Sequence, residues 1–573
     1  MRRLLVLSLL ALPLALPAQR VAPNSTFANP LNLEYRFMGD SLSWRQAADP
    51  VIVPHAGRYF LFASRSGGYW HSTDLREWTH VVPEGLPIED YAPALLVLDG
   101  RLYYTAHKSR ALFTTDDPVQ GRWRKVAEMA EYPDPAFFRD DDGRVYLYFG
   151  SSLGGGISAV ELDPKRDFAV ARGPVQLMRA NHAEHGWERS GAAHLGAAMS
   201  EGYRIAPYVE GSWMSKHDGT YYLQYAAPGT VWTTYGDGVY TSRDPMSGFA
   251  YQPYSPFSYK PGGFVGGAGH SGTFRDHDGR WWRVTTMVIA VKHKFERRLG
   301  IFPAGFDADG VMRMNGWLGD YPQFLPGVVR APLDSNLVGW MLLSRGKPVT
   351  VSSTRPGHPA ALAVDEDIRT HWSAATGERG EWLQVDLGRV SRVAAVQVNF
   401  AEEGTRARLR QGATPHRYRL EASLDGRSWT MLLDRSGNER ERPHDYVQLD
   451  APREARWLRV TNAGPAAGGG TFSLRDLRVF GRSDATAPSR VEGLEVRRAT
   501  DPRGVTLRWR RAAGAHGYVV RYGLSPDKLY AAHELGDATT LTINALNAGV
   551  TYYFTVDAVG EGGVTRGTAV RRG

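Results

Sequence analysis

Three carboxylates and one histidine occupy the same position of a repeated unit in the first half of the chain. Asp49, Asp134, Glu210 and His270 each stand eight or nine residues before a glycine that sits in a turn, and Ala92 takes this position in one further unit. If the units pack around an axis, the four side chains converge on one spot. Carboxylates that meet in this way repel one another, so their pKa values should separate.

One protonated and one ionised carboxyl group are what the cleavage of a glycosidic bond requires. The alternative is that the Asp-Pro and Glu-Gly pairs only form turns, as these residue types often do. For a single site, that alternative would be preferred. Three carboxylates at a matched position, with a histidine at a fourth, favour a catalytic function instead.

The elements that would position these side chains are five hairpins within residues 27–330. Each has a strand, a turn that contains glycine and a second strand rich in aromatic residues, which is hairpin chemistry. The turn glycines are 43, 43, 76 and 60 residues apart, and a unit of that size cannot bury its apolar face alone, so a radial array is expected. The pattern predicts an all-β fold that begins with a five-bladed β-propeller.

Two smaller β units follow the repeats. In residues 335–482, apolar residues alternate between turns, which predicts a β-sandwich. Residues 483–490 are typical of a linker. Residues 488–570 have the length of a second β-sandwich, with Trp509 and Tyr553 as paired anchors.

The N-terminus and the composition indicate an exported protein. Residues 1–18 combine two arginines, a short apolar run and a small residue at the end, which predicts a secretory signal peptide; a membrane anchor is the less favoured alternative. The chain has no cysteine, so it forms no disulfide and depends on large cores. We expect a monomer that is periplasmic or extracellular, with no membrane span.

The net charge of +8 comes from arginines scattered through every segment, with no block of like charge. Nucleic acid is therefore not an expected partner, and an acidic polysaccharide is a weaker alternative.

The first 330 residues resemble glycoside hydrolase family 43, whose members are five-bladed propellers. The resemblance lies in ADP before a strand, PDPAFFRDDDGRVYLYFGS, EGSWMSKHDGTYYL and the Gly-His start of the fifth unit. It implies that Asp49 is the general base, Glu210 the general acid, and Asp134 the residue that orients the acid and raises its pKa. It also implies inversion at the anomeric carbon, for which the two reacting carboxyl groups stand roughly 6.5–9.5 Å apart.

The resemblance further implies that His270 approaches a calcium ion or a water cluster on the propeller axis. Other candidates come from residue type and place: an insertion could grip sugar hydroxyls or stack on a sugar face, an arginine near the fifth unit could enter the pocket, and two aromatic residues stand near the starts of the first two units. The predicted substrate-binding residues are Trp44, Tyr91, His185, Trp187, Glu188 and Arg297.

The later units also resemble known families. SRGKPVTVSS, AVDEDIRTHWSA, EWLQVDLG and ARWLRV are similar to the discoidin, or factor 5/8 type C, family, and they imply a module like carbohydrate-binding family 32 with a carbohydrate ligand. Residues 488–570 are similar to fibronectin type III, most often a spacer.

The resemblance implies an exo-acting enzyme on plant-type polysaccharide or oligosaccharide, with α-L-arabinofuranosidase as the leading hypothesis. β-Xylosidase and exo-β-galactosidase activities of the same family are alternatives. A retaining fructan hydrolase is disfavoured because RQAADPV and VEGSW stand where its motifs would be. A non-catalytic carbohydrate-binding propeller is the remaining alternative, and the presence of all three carboxylates argues against it.

Overall fold

The computed structural model describes residues 21–38, 43–87, 90–199, 202–406 and 414–573. These residues are strands and loops, with four short 3₁₀ helices, which confirms the predicted all-β fold. The predicted signal peptide lies outside the described residues. Within the described ranges, no helix has the length and apolar character of a bilayer span. The 3₁₀ helices are Pro164–Arg166, Gly186–Glu188, Ala360–Ala363 and Ala467–Gly469.

Five antiparallel sheets, here called blades 1 to 5, follow one another along the first domain. Blade 1 comprises Val51–His55, Arg58–Phe62, Tyr69–Ser72 and Thr79–Val81, and blade 2 comprises Ala94–Leu98, Arg101–Thr105, Ala111–Thr115 and Arg124–Glu128. Blade 3 comprises Ala136–Arg139, Val145–Phe149, Gly156–Asp163 and Ala169–Arg179. Blade 4 comprises Tyr208–His217, Thr220–Ala227, Gly236–Ser242 and Ala250–Tyr251, with Ser152–Leu153 and Ser258–Tyr259 at its margins. Blade 5 comprises Gly266–Arg275, Trp281–Val288, Arg297–Phe306 and Met312–Met314.

The blades close into a ring. The first strand of each blade contacts the first strand of the next, and that of blade 5 contacts that of blade 1. The hairpin turn after each first strand uses a glycine in the left-handed region, with φ from +70° at Gly219 to +85° at Gly143. The first strands therefore line the axis, and whatever stands at their starting ends meets there, as a propeller requires.

Short pairs of strands complete the first domain. Residues from the N-terminal end pair with the segment that leaves blade 5, and one hairpin precedes each of blades 1 and 4. These strands are Thr26–Phe27 with Gln323–Phe324, Arg36–Met38 with Trp44–Gln46, and Ala197–Met199 with Gly202–Arg204.

The second domain is an eight-stranded arrangement around a core that includes Trp372, Phe400 and Phe472. Two long strands dominate it, and they pair antiparallel with each other. Its strands are Met341–Leu342, Val349–Val351, Trp372–Ser373, Trp382–Phe400, Tyr418–Ser423, Thr430–Asp434, His444–Asn462 and Ser473–Arg482.

Buried ion pairs tie the second domain to the propeller. Arg45 Nε lies 2.6 Å from Glu402 Oε1, and Glu296 Oε1 lies 2.5 Å from Arg475 Nη2. The side chains of both pairs are at most 4% exposed. Removing one member of either pair by mutation would leave the other as an uncompensated buried charge, which is strongly destabilising.

The third domain contains two sheets, of three and five strands, and packs against blades 3 and 4. Its buried Trp509, Tyr518 and Phe554 belong to one apolar cluster with Tyr225 and Trp187 of the propeller. The structure thus shows a β-sandwich, and its fibronectin type III identity stays a prediction. The strands are Glu495–Arg498, Val505–Arg508 and Thr540–Ile543, then Gly517–Gly523, Ala531–Leu535, Tyr553–Gly560, Gly563–Thr565 and Arg571–Arg572.

Candidate active site

A cavity of about 450 Å³ lies where the first strands begin, and Asp49, Asp134 and Glu210 all line it. This is the size range of pockets that hold small ligands. The convergence that the repeat predicts is therefore present for all three carboxylates. His270 joins them, because its Nδ1 lies 3.2 Å from Asp49 Oδ1.

A shared backbone conformation brings these residues together. Asp49, Ala92, Asp134 and His270 all take left-handed φ values, between +41° and +53°. Such values are uncommon for residues other than glycine and cost conformational energy, so they mark a position that the surrounding structure imposes. In blade 4, the left-handed residue is Gly211, with φ of +64°.

Glu210 is therefore displaced by one residue from the position that the other blades share. A bulge in the pairing of the first two strands of blade 4, between Glu210 and Trp213, accompanies this shift. At Gly211 a Cβ atom would lie 2.7 Å from Cγ of His270, so only glycine permits this approach. The bulge re-aims the carboxyl group of Glu210 while the strand keeps its place in the ring.

The surroundings of Asp49 favour its ionised form. Burial acts to raise the pKa of Asp49, but the positive charge of Arg297, the neighbouring His270 and a hydrogen bond from Ser64 Oγ to Asp49 Oδ2 outweigh it. The pKa of Asp49 consequently lies below its ordinary value. Arg297 Nη1 is 3.5 Å from Asp49 Oδ1, and Thr286 Oγ1 accepts a hydrogen bond of 2.8 Å from the backbone N–H of Asp49. Asp49 is thus an ionised carboxylate that can accept a proton.

The surroundings of Glu210 favour its protonated form. Burial raises the pKa of Glu210 well above its ordinary value, and the negative charges of Asp134 and Asp49 raise it further. Tyr235 donates a hydrogen bond of 2.6 Å to Glu210 Oε1 and opposes this shift without reversing it. Glu210 is thus a carboxylic acid that can give up a proton.

Asp134 lines the same cavity and pairs with a histidine that the sequence interpretation missed. His107 Nδ1 forms a short hydrogen bond with Asp134 Oδ1, and this bond raises the pKa of His107 above its ordinary value. His107 also lines the cavity. A histidine held in this way fixes the orientation of the Asp134 carboxylate beside the acid.

A second position of the repeated unit could have identified His107 from the sequence. Ser64, His107 and Thr286 each stand seven residues after the turn glycine of their blade. All three contact one of the carboxylates: Ser64 and Thr286 contact Asp49, and His107 contacts Asp134. The position lies at the end of the second strand, directly beside the start of the first strand, so a side chain there reaches the ring of carboxylates.

The donor set around His270 does not fit a calcium ion. Calcium prefers six to eight oxygen ligands, several of them ionised carboxylates. Ligand atoms of Asp134, Glu210 and His270 lie within 4.8 Å of one another, but one is an imidazole nitrogen, Asp134 is shared with His107, and the pKa of Glu210 is raised. The prediction of calcium near His270 is untested, this donor set argues against it, and no step of the proposed reaction passes through a metal.

The predicted substrate-binding residues divide into two groups. Tyr91 and Arg297 line the cavity. Arg297 is 2% exposed, donates from Nη1 to Thr230 Oγ1 at 2.8 Å, and leaves Nε and Nη2 without a hydrogen-bond partner. Trp44 is not among the residues that line the cavity. It is 7% exposed and stacks on the ring of His293 at 4.0 Å, so it supports a loop of the wall from behind.

The prediction that His185, Trp187 and Glu188 bind substrate is wrong. They are 6%, 0% and 0% exposed, and their polar atoms bond to other protein groups. The ring of His185 stacks on Tyr251 at 3.6 Å, and its backbone pairs with Asn547 of the third domain. These three side chains are buried against the propeller and the C-terminal sandwich, so they present no surface to a sugar.

Other residues of the wall were not singled out from the sequence. They share aromatic or cationic character, which suits contact with sugar rings and with polar substrate groups. Tyr208 begins the first strand of blade 4 and Lys108 follows the second strand of blade 2, whereas the other four lie in loops or in the hairpin before blade 4. No periodic signal in the sequence marks any of them. They are Tyr208, Trp232, Phe295, Lys108, Arg204 and Lys294.

Comparison with known families agrees with this geometry. The family model for glycosyl hydrolases family 43 matches residues 43–312, and the model for the F5/8 type C domain matches residues 348–477. The first match covers the segment from just before blade 1 into the last strand of blade 5. The sequence-based predictions of a glycoside hydrolase domain and of a discoidin-like domain are confirmed for these two segments.

Curated relatives are more distant. The xylosidase/arabinosidase 43A of Humicola insolens is 26% identical over 224 residues, covering 34% of this chain and 64% of the relative. A xylosidase/arabinosidase of Bacteroides ovatus is 26% identical over 194 residues, covering 31% of this chain and 55% of the relative. The chain thus spans less than two thirds of the length of these relatives. A solved thermostable family-43 glycoside hydrolase aligns at 20% identity with a TM-score of 0.42, covering 53% of this chain and 100% of that chain.

Proposed function

We propose that this protein is an exported, inverting exo-glycosidase of plant-type polysaccharide that acts as an α-L-arabinofuranosidase. One observation carries the proposal: in a single cavity, the pKa of Asp49 is lowered and that of Glu210 is raised. An ionised base and a protonated acid facing one space are the two groups that a single-displacement glycoside hydrolysis needs.

The proposed reaction uses each group once. Asp49 removes a proton from a water molecule, whose oxygen forms a bond to the anomeric carbon. Glu210 gives its proton to the glycosidic oxygen as the bond to the leaving sugar breaks. Asp49 ends protonated and Glu210 ionised, and exchange with solvent restores both. As negative charge leaves Asp49 and appears on Glu210, Arg297 stays beside Asp49 and Tyr235 donates to the new carboxylate.

Two positioning residues support this chemistry. Asp134, held by His107, raises the pKa of Glu210 through its negative charge. Arg297 has two buried nitrogens without a protein partner beside the base, so a sugar hydroxyl is a suitable acceptor for them. Tyr91, Trp232 and Phe295 give the wall aromatic surface against which a sugar ring can pack.

The first test replaces the two reacting groups. Asp49→Asn and Glu210→Gln should each lower kcat by at least about a thousandfold while thermal unfolding stays cooperative. Glu210→Gln should recover much of this loss on a dinitrophenyl glycoside, whose leaving group needs no proton, whereas Asp49→Asn should not. The matched control is Asp142→Asn, which changes an exposed carboxylate in the turn of blade 3. Near wild-type turnover in either active-site variant would contradict the proposal.

The second test identifies the sugar and the stereochemistry. A panel of nitrophenyl arabinofuranosides, xylosides and galactosides should give the highest kcat/KM with α-L-arabinofuranoside. β-Xylosidase is the second candidate, because the relatives described above carry both activities in their names. Proton NMR of the first-formed sugar should show the inverted anomer; retention would contradict the single-displacement mechanism.

A further inference from the structure

The charged groups of the catalytic cavity follow a simple pattern. Apart from the three carboxylates, every charged residue that lines it is cationic, within the part of the chain that the structure describes. His107 and Arg297 are already engaged with the catalytic carboxylates. The others are Lys108, Arg204 and Lys294, which the reaction proposed above does not use.

The lysines of the cavity are unusual for this chain. The chain has nine lysines among its 68 basic residues, so nearly all of its positive charge is arginine. Six of the nine form ion pairs or donate side-chain hydrogen bonds to the protein. Among the described residues, the three lysines without such a bond are Lys108, Lys165 and Lys294, and two of these three line the cavity. Both residues are exposed. The Lys294 ammonium group lies 5.1 Å from the centroid of the Phe295 ring, a contact that leaves its hydrogen-bond donors open to a ligand.

The three cations come from separate elements that line the cavity. Lys108 follows the second strand of blade 2, Arg204 ends the strand Gly202–Arg204 before blade 4, and Lys294 lies between the second and third strands of blade 5. Neither lysine is among the main influences on the pKa of Asp49 or Glu210, where burial, Arg297 and the neighbouring carboxylates dominate.

We propose that the substrate bears uronic acid carboxylates on its leaving-group side, so that the enzyme removes a neutral terminal sugar from an acidic polysaccharide. This inference rests on the proposed function and adds the class of polymer to it. The neutral sugar occupies the floor of the cavity between the carboxylates, and the acidic residues of the leaving chain meet Lys108, Arg204 or Lys294 at the mouth. Lysine and arginine recognise carboxylates by charge and hydrogen bonding, and a cationic mouth also attracts an anionic chain from a distance.

The test compares an arabinosylated, uronate-containing oligosaccharide with its carboxyl-reduced form, which has the same glycosidic bond and no charge. At about 20 mM salt, the acidic form should have a kcat/KM about tenfold higher, and at about 500 mM salt the ratio should approach one because exposed charges are screened. Equal kcat/KM for both forms at low salt would overturn the inference.

Lysine variants test which residues cause the preference for the acidic oligosaccharide. Lys108→Met combined with Lys294→Met should reduce the low-salt preference at least about threefold. Lys165→Met removes a charge of the same kind from the outer edge of blade 3 and should leave the preference unchanged. Retention of the full preference by the double variant would overturn the assignment to these lysines.

The failure of this inference and that of the proposed function give different results. Hydrolysis of nitrophenyl glycosides without preference for the acidic oligosaccharide would overturn the uronate inference alone. Absence of hydrolysis of every glycoside would overturn the proposed function. In that case, binding of both oligosaccharides to the Glu210→Gln variant, measured by calorimetry, still tests the charge preference, and equal affinities would overturn it.

Discussion

Two segments of the propeller carry the same five-residue pattern and have opposite roles. Residues 185–189 and residues 293–297 both read histidine, any residue, an aromatic residue, glutamate and arginine. The first segment is covered by the C-terminal sandwich, whereas the second forms part of the catalytic cavity wall. Residue types that suit sugar binding therefore did not decide which segment meets a sugar.

In both segments, the glutamate stabilises its own loop by accepting a hydrogen bond from a nearby backbone N–H. Glu188 Oε2 accepts a hydrogen bond of 2.6 Å from the backbone N–H of Asn181, and Glu296 Oε2 accepts one of 2.9 Å from Lys292. Both glutamates are at most 1% exposed. The spacing that the two segments share thus reflects local turn structure, which is independent of substrate.

The neighbours of the arginine and of the aromatic ring make the difference. Arg189 donates to Asp501 of the third domain at 2.7 Å, whereas Arg297 stands beside Asp49. Trp187 is fully buried, whereas Phe295 lines the cavity. What covers a segment, and not its composition, separates a structural role from a functional one.

The largest expected effect is that of replacing Arg297. Arg297→Met should lower kcat/KM about a thousandfold, because it removes the two unpartnered donors, Nε and Nη2, and the positive charge beside Asp49. It should also move the acidic limb of the pH profile to higher pH, since Arg297 lowers the pKa of Asp49 and the variant base ionises only at higher pH. Steady-state kinetics from pH 4 to 9 would measure both changes.

The matched variant is Arg189→Met. It removes an arginine of the same pattern and should lower the thermal midpoint slightly through loss of the pair with Asp501, while the pH profile stays that of the wild type. An unshifted acidic limb in Arg297→Met, or a shifted one in Arg189→Met, would contradict the division of roles.

For the two aromatic residues, the larger loss of stability is expected at Trp187 and the larger loss of substrate binding at Phe295. Trp187→Ala should destabilise the protein by about 3 kcal/mol, because it opens a cavity in the cluster shared with the third domain. Phe295→Ala should cost less stability, because its ring is only partly buried, and should raise KM through loss of aromatic surface. Denaturant unfolding and KM measured on the same preparations would check both, and a raised KM in Trp187→Ala with unchanged stability would reverse the interpretation.

Sequence reasoning succeeded where a periodic signal existed. The repeat placed Asp49, Asp134, Glu210 and His270 at one end of the first strands, because hairpin register fixes how far a side chain lies from its turn. The same logic contained a second register that would have found His107 and Ser64. The displacement of Glu210 by one residue was not predictable, since a bulge leaves no compositional mark beyond the glycine that follows it.

It failed where a contact between domains decides the outcome. The insertion around His185 offers polar and aromatic side chains, and contacts with blade 4 and with the C-terminal sandwich together remove them from solvent. The wall residue Phe295 is likewise carried by a loop that the second domain holds, through Glu296 and Arg475. A single sequence has no periodic pattern for contacts of this kind, because they depend on how separate cores dock.

The smallest expected effect comes from weakening the contact between the second domain and the loop that carries Phe295. Lys292 Nζ donates to the backbone oxygens of Ala401 and Glu402 in the second domain, at 2.7 and 2.6 Å. Lys292→Met should loosen the loop that carries Phe295 and lower kcat/KM about threefold to tenfold, because misplacement of wall residues weakens the orientation of substrate. The residue in the equivalent place of the other segment is Glu184, which is exposed. Glu184→Gln should leave both kcat/KM and stability near wild type, and an equal loss of activity in both variants would show that docking of the second domain does not position the wall.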